Sequence, residues 1–302
     1  MRTSSCTPCA PRRTLLRVHL ETQRLTPAIG AEFACPSSSV SDPAFGEALY
    51  DALIEHQVLI TRGYDTSPTA LKALANRLGP TSNTHHEYRS HVDEAEVVVL
   101  EWGGDRVPDA AEWHADMTYR ANPPFASVLQ AIVVPAAGGD TLWASMYSAL
   151  DALPAGLRSE LEHLEAVHDM GAFRTTAFRR GGEAELADAL WKAGSAVHPV
   201  VAHHPVTGRP YLNVSESFTR FVIGLSAPES ARILTLLFDQ INRPEHHTRV
   251  RWEPGTVAIW DNRATQHYAV ADYLPHRRVM HRVAVDRDLR CGSMPTAAGS
   301  LG

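Results

Sequence analysis

The sequence predicts a mainly β protein with flanking helices, its strands folded into two facing sheets as a double-stranded β-helix (jelly roll). Three observations carry this. Strand-like runs are short, closely spaced and bounded by turn residues over most of the chain. Helical periodicity is confined to a few inserted segments. No segment repeats at a fixed period, and many strands at short spacing with inserted helices suggest a double-sheet jelly roll.

Taken in order, residues 1–13 (MRTSSCTPCAPRR) read as a disordered leader, and Thr14–Leu20 and Ile29–Phe33 as short opening strands. Pro43–His56 has Phe45, Leu49, Leu53 and Ile54 at helical spacing and runs into a buried-strand stretch, Val58–Thr61. Ser67 before Pro68 is an N-cap followed by proline in the first turn, starting a helix through Leu78 that Gly79 ends. Glu96–Trp102 is a strand, and Gly103–Ala111 a polar loop. Ala126–Val134 and Thr141–Met146 are strands either side of a Gly138-Gly139-Asp140 turn. Helical patterns follow at Ala149–Leu153 and Pro154–Leu164.

Asp169–Ser195 is rich in Gly, Arg, Ala and Glu, with a helix expected around Glu183–Lys192; it reads either as a mobile lid or as a plain surface insertion. Val197–Ala202 and Tyr211–Val214 pair as a hairpin across HHPVTGRP. Ala227–Ile241 is the clearest amphipathic helix, with Pro228 near its start. The last strands are Thr248–Trp252, Thr256–Trp260, Thr265–Ala269 and Arg278–Asp286. One domain is expected over residues 14–290, with 291–302 as a loose tail.

Composition narrows the function. With 44% hydrophobic and 21% charged residues the chain is an ordinary globular protein. Its 28 Lys and Arg against 34 Asp and Glu give a net charge of −6, which argues against general nucleic-acid binding. No run approaches a membrane span, and the arginine-bearing N-terminus lacks the apolar core of a secretory signal, so a cytoplasmic location is expected. Cys6, Cys9, Cys35 and Cys291 are too few and scattered for a disulfide framework. Cys6 and Cys9 have metal-like spacing, but no second pair lies near them.

The chemistry concentrates in Trp260–Arg282, WDNRATQHYAVADYLPHRRVMHR, and in WHADMTY upstream. Of the three histidines in the first stretch, His267 has the most strand-like context. His114 and Asp116 stand two apart, and a strand would turn both to one face. With His267 they make two imidazoles and a carboxylate, the facial triad that holds non-haem Fe(II) with three positions open. Arg278 follows His267 by 11 residues and Arg282 follows four later. Arg278, Met280 and Arg282 share one face of a strand, the two arginine α-carbons ~13 Å apart.

These stretches, with GGDTLW (Gly138–Trp143), HPVV (His198–Val201) and HPVTG (His204–Gly208), stand in the order found in the taurine dioxygenase family of Fe(II)/2-oxoglutarate-dependent oxygenases. The chain resembles that family over roughly residues 19–288. The resemblance implies the jelly roll directly, and the cofactors Fe(II) and 2-oxoglutarate. It implies that His114, Asp116 and His267 are the metal-binding and catalytic centre, and that Arg278 binds the far carboxylate of 2-oxoglutarate through its planar fork. Thr141 would add a hydroxyl donor there, although a plain β-former role is open to it. The cosubstrate's keto acid end would take two iron positions and O2 the third. Asp116 stands where related halogenases have a small residue, so hydroxylation is favoured.

For the substrate, the resemblance implies Arg282 as reader of an anionic group, with His86 (or His85), Tyr88, Asp109, Phe173 and Phe218 around it. Arg282 could alternatively pair with Asp272 or Asp286. Family members that take taurine have an amide side chain one residue after the position of Asp109; Ala110 stands here. The expected partners are therefore a small anionic substrate, 2-oxoglutarate and O2, with homo-oligomerisation open. The implied function is a dioxygenase of a sulfonate such as taurine, releasing succinate and CO2. Alternatives are a sulfate ester, phosphonate or amino-acid-like substrate, or a non-catalytic jelly-roll binding or sensor protein.

Overall fold

The protein is described from a computed structural model, which covers residues 19–82, 88–104, 108, 111–171 and 173–290. The expected leader with Cys6 and Cys9, the tail, and His85, His86, Asp109 and Ala110 lie outside the described residues.

β1 (Thr22–Arg24) and β2 (Ala31–Phe33) form an antiparallel pair that leads to α1 (Pro43–His56). Asp42 caps α1, its side chain accepting from the Ala44 N–H, and Pro43 opens the first turn. β3 (Val58–Thr61) follows, then α2 (Pro68–Ala75), where the Ser67 side chain accepts from Ala70 N–H. Next come β4 (Thr81–Ser82), β5 (Val98–Trp102), β6 (Ala126–Val133), β7 (Thr141–Ser145), α3 (Met146–Asp151) and α4 (Ala155–Leu161). β8 (Glu165–Asp169), α5 (Phe173–Ala193), β9 (Ser195–Pro199), β10 (Val201–His203), β11 (Pro210–Leu212) and β12 (Thr219–Val222) lead to α6 (Ala227–Ile241). A capping box of Ser226 and Glu229 starts α6. The chain closes with β13 (His247–Val250), β14 (Val257–Asp261), β15 (Thr265–Ala269) and β16 (Arg278–Val285).

The major sheet runs β1-β2-β3-β14-β6-β16-β4, with β5 also paired to β16; the minor sheet facing it runs β13-β7-β15. Two small sheets, β12-β8-β9 and β10-β11, extend the minor side. Alternation along the strands separates three apolar layers. Val257 and Ile259 of β14, with Val283 and Val285 of β16, pack outward beneath α1 and α2. Ala258 and Trp260, Met280, Leu129 and Trp143 fill the space between the sheets. α3 and α6 cover the outer face of the minor side through Ala149, Leu150, Leu234, Leu237 and Ile241. This is the expected jelly roll with flanking helices.

The differences from expectation have local causes. WHADMTY is not a strand: His114 makes an isolated bridge to His267, and the chain then turns, with Met117 at φ +58°. The expected hairpin uses only β10 and β11, because β9 pairs with β8 instead. β8 and β12 were not expected, since neither alternates cleanly. In β8 the buried side chains are Ala166, His168 and Asp169, and the His168 ring is satisfied by Thr118 and Thr219 hydroxyls. α5 is longer than expected and breaks at Gly181 and Gly182, where the backbone leaves helical geometry and Gly182 has φ +68°.

Candidate active site

The site lies between the sheets. The major sheet contributes β16, whose inward face carries Arg278 and Arg282, and β6, which carries Ser127. The minor sheet contributes His267 on β15 and Thr141 on β7; the two strands pair antiparallel, with His267 opposite Trp143 and Thr141 opposite Ala269. Residues 113–118 reach the middle of β15 through two backbone bonds, His114 N to His267 O (3.1 Å) and His267 N to His114 O (2.8 Å). That bridge sets the two imidazoles side by side, with ring centroids 4.1 Å apart.

One ligand atom each from His114, Asp116 and His267 lies within 4.8 Å of the others, and all three residues are buried. The turn after His114, rather than a strand, aims Asp116 at the histidines. Asn262 holds that turn: its amide oxygen accepts from Asp116 N–H at 2.7 Å, and its NH2 donates to the carbonyls of Asp116 and Pro124. Asn262 is itself seated at the end of β14 beside Asp261, whose carboxylate binds Arg263 and the Nε2 of His204 (3.0 Å).

Each ring has an available nitrogen. Nδ1 of His114 lies 2.7 Å from the carbonyl of Glu112 and donates to it, which leaves Nε2 with its lone pair for a metal. Nε2 of His267 is 3.8 Å from Oδ1 of Asp116. Burial, and then the neighbouring His114, depress the His267 pKa well below its ordinary value, so the ring is neutral and able to coordinate. Burial alone would raise Asp116, but the Arg282 guanidinium foremost, then the imidazoles, hold it well below the usual carboxylate range. A carboxylate beside two imidazoles is the donor set that suits Fe(II), with oxygen and nitrogen ligands and open positions.

Arg278 is 3% exposed, and no carboxylate among the described residues pairs with it. Its Nη2 lies 3.4 Å from the Thr141 hydroxyl, its guanidinium sits 5.8 Å from the Tyr273 ring centroid, and its Nε has no hydrogen-bond partner. The Thr141 oxygen also accepts from Trp252 Nε1 at 3.0 Å. Burial presses the Arg278 pKa below its ordinary value. A buried guanidinium is costly without a counter-charge, and one side-on carboxylate would supply it. The residues therefore fit a dicarboxylate whose other end reaches the metal.

Arg282 pairs with neither Asp272 nor Asp286. Its Nη1 donates to Oδ1 of Asp116 at 2.9 Å, and its Nε is buried without a partner. The cavity over the triad is walled by Tyr88, Leu100, Trp102, Leu129, Phe173 and Phe218. Phe218 stands edge-on to His114 at 5.9 Å and stacks with Phe173 at 6.3 Å. Of the expected substrate residues, Tyr88, Phe173, Phe218 and Arg282 thus meet at one cavity.

The family model described as "Taurine catabolism dioxygenase TauD, TfdA family" matches residues 21–284. The chain belongs to this family. It is an oxidoreductase, a non-haem iron dioxygenase that uses Fe(II) and 2-oxoglutarate. An alkylsulfatase of Acinetobacter baylyi is 34% identical over 281 residues, covering 91% of this chain and 87% of that protein. An alpha-ketoglutarate-dependent sulfate ester dioxygenase of Pseudomonas putida is also 34% identical, over 94% of this chain and 93% of that protein. The crystal structure of a taurine dioxygenase from Burkholderia xenovorans superposes with a TM-score of 0.75 at 29% identity, covering 89% of this chain and 91% of that one. No helix among the described residues is long and apolar enough to cross a membrane.

Sequence reasoning missed Ser127 and Asn262. Asn262 stood inside the WDN stretch but had no reason to be singled out until its two-way bond to the Asp116 backbone was visible. Ser127 had no signal, being a small polar residue in an apolar strand.

Proposed function

We propose that this dioxygenase acts on alkyl sulfate esters, hydroxylating the carbon that bears the sulfate. The observation that carries the reading is that two relatives matched over nearly their whole length are named for sulfate esters. The cavity is consistent with this: its described walls are largely aromatic and aliphatic, which suits packing of an alkyl chain.

In this reading His114, Asp116 and His267 hold iron, which supplies oxidation of an unactivated C–H bond when 2-oxoglutarate and O2 are present. Arg278, assisted by Thr141, fixes the far carboxylate of 2-oxoglutarate. Arg282 receives the sulfate on its unfilled Nε side while Nη1 stays on Asp116. Tyr88, Phe173 and Phe218 pack the alkyl part and exclude water, with His86 and Asp109 proposed at the same pocket. One oxygen atom of O2 enters succinate and the other the substrate carbon. The resulting 1-hydroxyalkyl sulfate breaks its C–O bond to sulfate as the hydroxyl loses its proton, giving an aldehyde and inorganic sulfate.

The test compares an alkyl sulfate, an alkyl sulfonate, taurine and a neutral ester of matched length in the wild type and in Arg282→Leu, reading succinate formation. The sulfate ester should be the best wild-type substrate. The variant should lose kcat/KM for the anions by about 10²-fold or more, the scale of removing one side of a buried charge pair, with 2-oxoglutarate affinity retained. Equal loss for anionic and neutral compounds would remove Arg282 from the role of anion reader. Preference for taurine would restore the sulfonate reading.

A further inference from the structure

The two oxygens of Asp116 have different surroundings. Oδ1 is the one near His267 Nε2, at 3.8 Å, and it accepts from Arg282. Oδ2 points into the major sheet, where the Ser127 hydroxyl donates to it at 2.7 Å. Ser127 is fully buried on the inward-facing side of β6, level with Ala284 of β16 and Trp260 of β14 in the sheet register. A serine hydroxyl has a single proton, and here it is committed to Asp116. Ser127 is closed off from water, so no solvent acceptor competes with Asp116 for its hydroxyl proton.

A carboxylate can coordinate a metal through one oxygen or through both. The difference matters at a facial triad, which leaves three positions open. A chelating Asp116 would take one of them, and 2-oxoglutarate and O2 together need all three. We propose that Ser127 is a positioning residue that ties Oδ2 to the sheet, restricts Asp116 to coordination through Oδ1, and so keeps the third position free. The proposal rests on the assignment of His114, Asp116 and His267 as the metal ligands. Without the Ser127 proton, Oδ2 is a buried anionic oxygen with no donor, and a bound cation is what remains to satisfy it.

The experiment uses the metal-free protein titrated with Mn(II) alone, counting exchangeable metal-bound waters by proton relaxation. Wild type is expected to hold three. Ser127→Ala is expected to hold two, and Ser127→Thr, which keeps the hydroxyl, to return to three. Should the alanine variant not fold, Ser127→Cys serves in its place, because a thiol is a weak donor. A purely structural role would lower the unfolding temperature without changing the count. Three waters in the Ser127→Ala or Ser127→Cys protein would overturn the proposal. A wild type that binds no Mn(II) would overturn the ligand assignment itself, and this proposal with it.

Discussion

Arg278→Ala raises the 2-oxoglutarate concentration needed for half-maximal turnover by about 10²-fold to several thousandfold, measured as succinate formed at saturating iron. The magnitude follows from the site: removing one partner of a buried, hydrogen-bonded charge pair costs on the order of 3–5 kcal/mol, at ~1.4 kcal/mol per tenfold. The structure adds the direction of the stability effect. Arg278 is buried, with the Thr141 hydroxyl and Tyr273 near its guanidinium and Asp140 acting on it at longer range. The cosubstrate-free protein therefore bears a desolvated charge, and the alanine variant should unfold at no lower temperature than wild type while losing its stabilisation by 2-oxoglutarate. Arg278→Lys should recover only part of the affinity, because an ammonium cannot present two parallel N–H donors. An unchanged 2-oxoglutarate requirement in Arg278→Ala would remove it from the cosubstrate site.

Loss of any one of His114, Asp116 and His267 should abolish turnover. Removing an outer partner of a metal ligand typically costs about 10–100-fold in metal affinity or activity, and removing the ligand itself should exceed that. The three variants should differ in stability. His114→Ala and His267→Ala take away a ring whose main-chain bridge remains. Asp116→Ala leaves Arg282 buried with no carboxylate, a cost of about 3–5 kcal/mol. Asp116→Asn, which retains an oxygen for Arg282, is the cleaner variant for separating metal loss from unfolding. Full turnover by a folded variant at any of the three positions, with no exogenous ligand added, would contradict the triad.

Much of this was legible in the chain. α1, β3, α6 and β15 have the bounds expected of them; α1 and α6 each bury a regular apolar face, and β3 is an apolar run buried throughout. That Arg278, Met280 and Arg282 share one face of a strand followed from strand alternation alone. What could not be read is set by contacts between distant segments. That Asp116 turns toward His267 depends on Asn262, 146 residues away along the chain. That its second oxygen is held depends on Ser127, whose neighbours in sequence are apolar strand residues. β8 and β12 escaped because their buried positions include polar side chains that hydrogen-bond each other, as His168 does with Thr219, and no hydropathy pattern records such a pairing. The partnership of Arg282 with Asp116, in place of Asp272 or Asp286, likewise belongs to the packing of β16 against the 113–118 turn.

The account stands most directly on product stoichiometry with a single alkyl sulfate. Protein, Fe(II), 2-oxoglutarate and O2 are combined with octyl sulfate, and succinate, aldehyde and inorganic sulfate are measured together. The predicted result is equal amounts of all three, with none formed when 2-oxoglutarate or O2 is omitted. Sulfate released without 2-oxoglutarate, or succinate formed with no aldehyde and no sulfate, would contradict it.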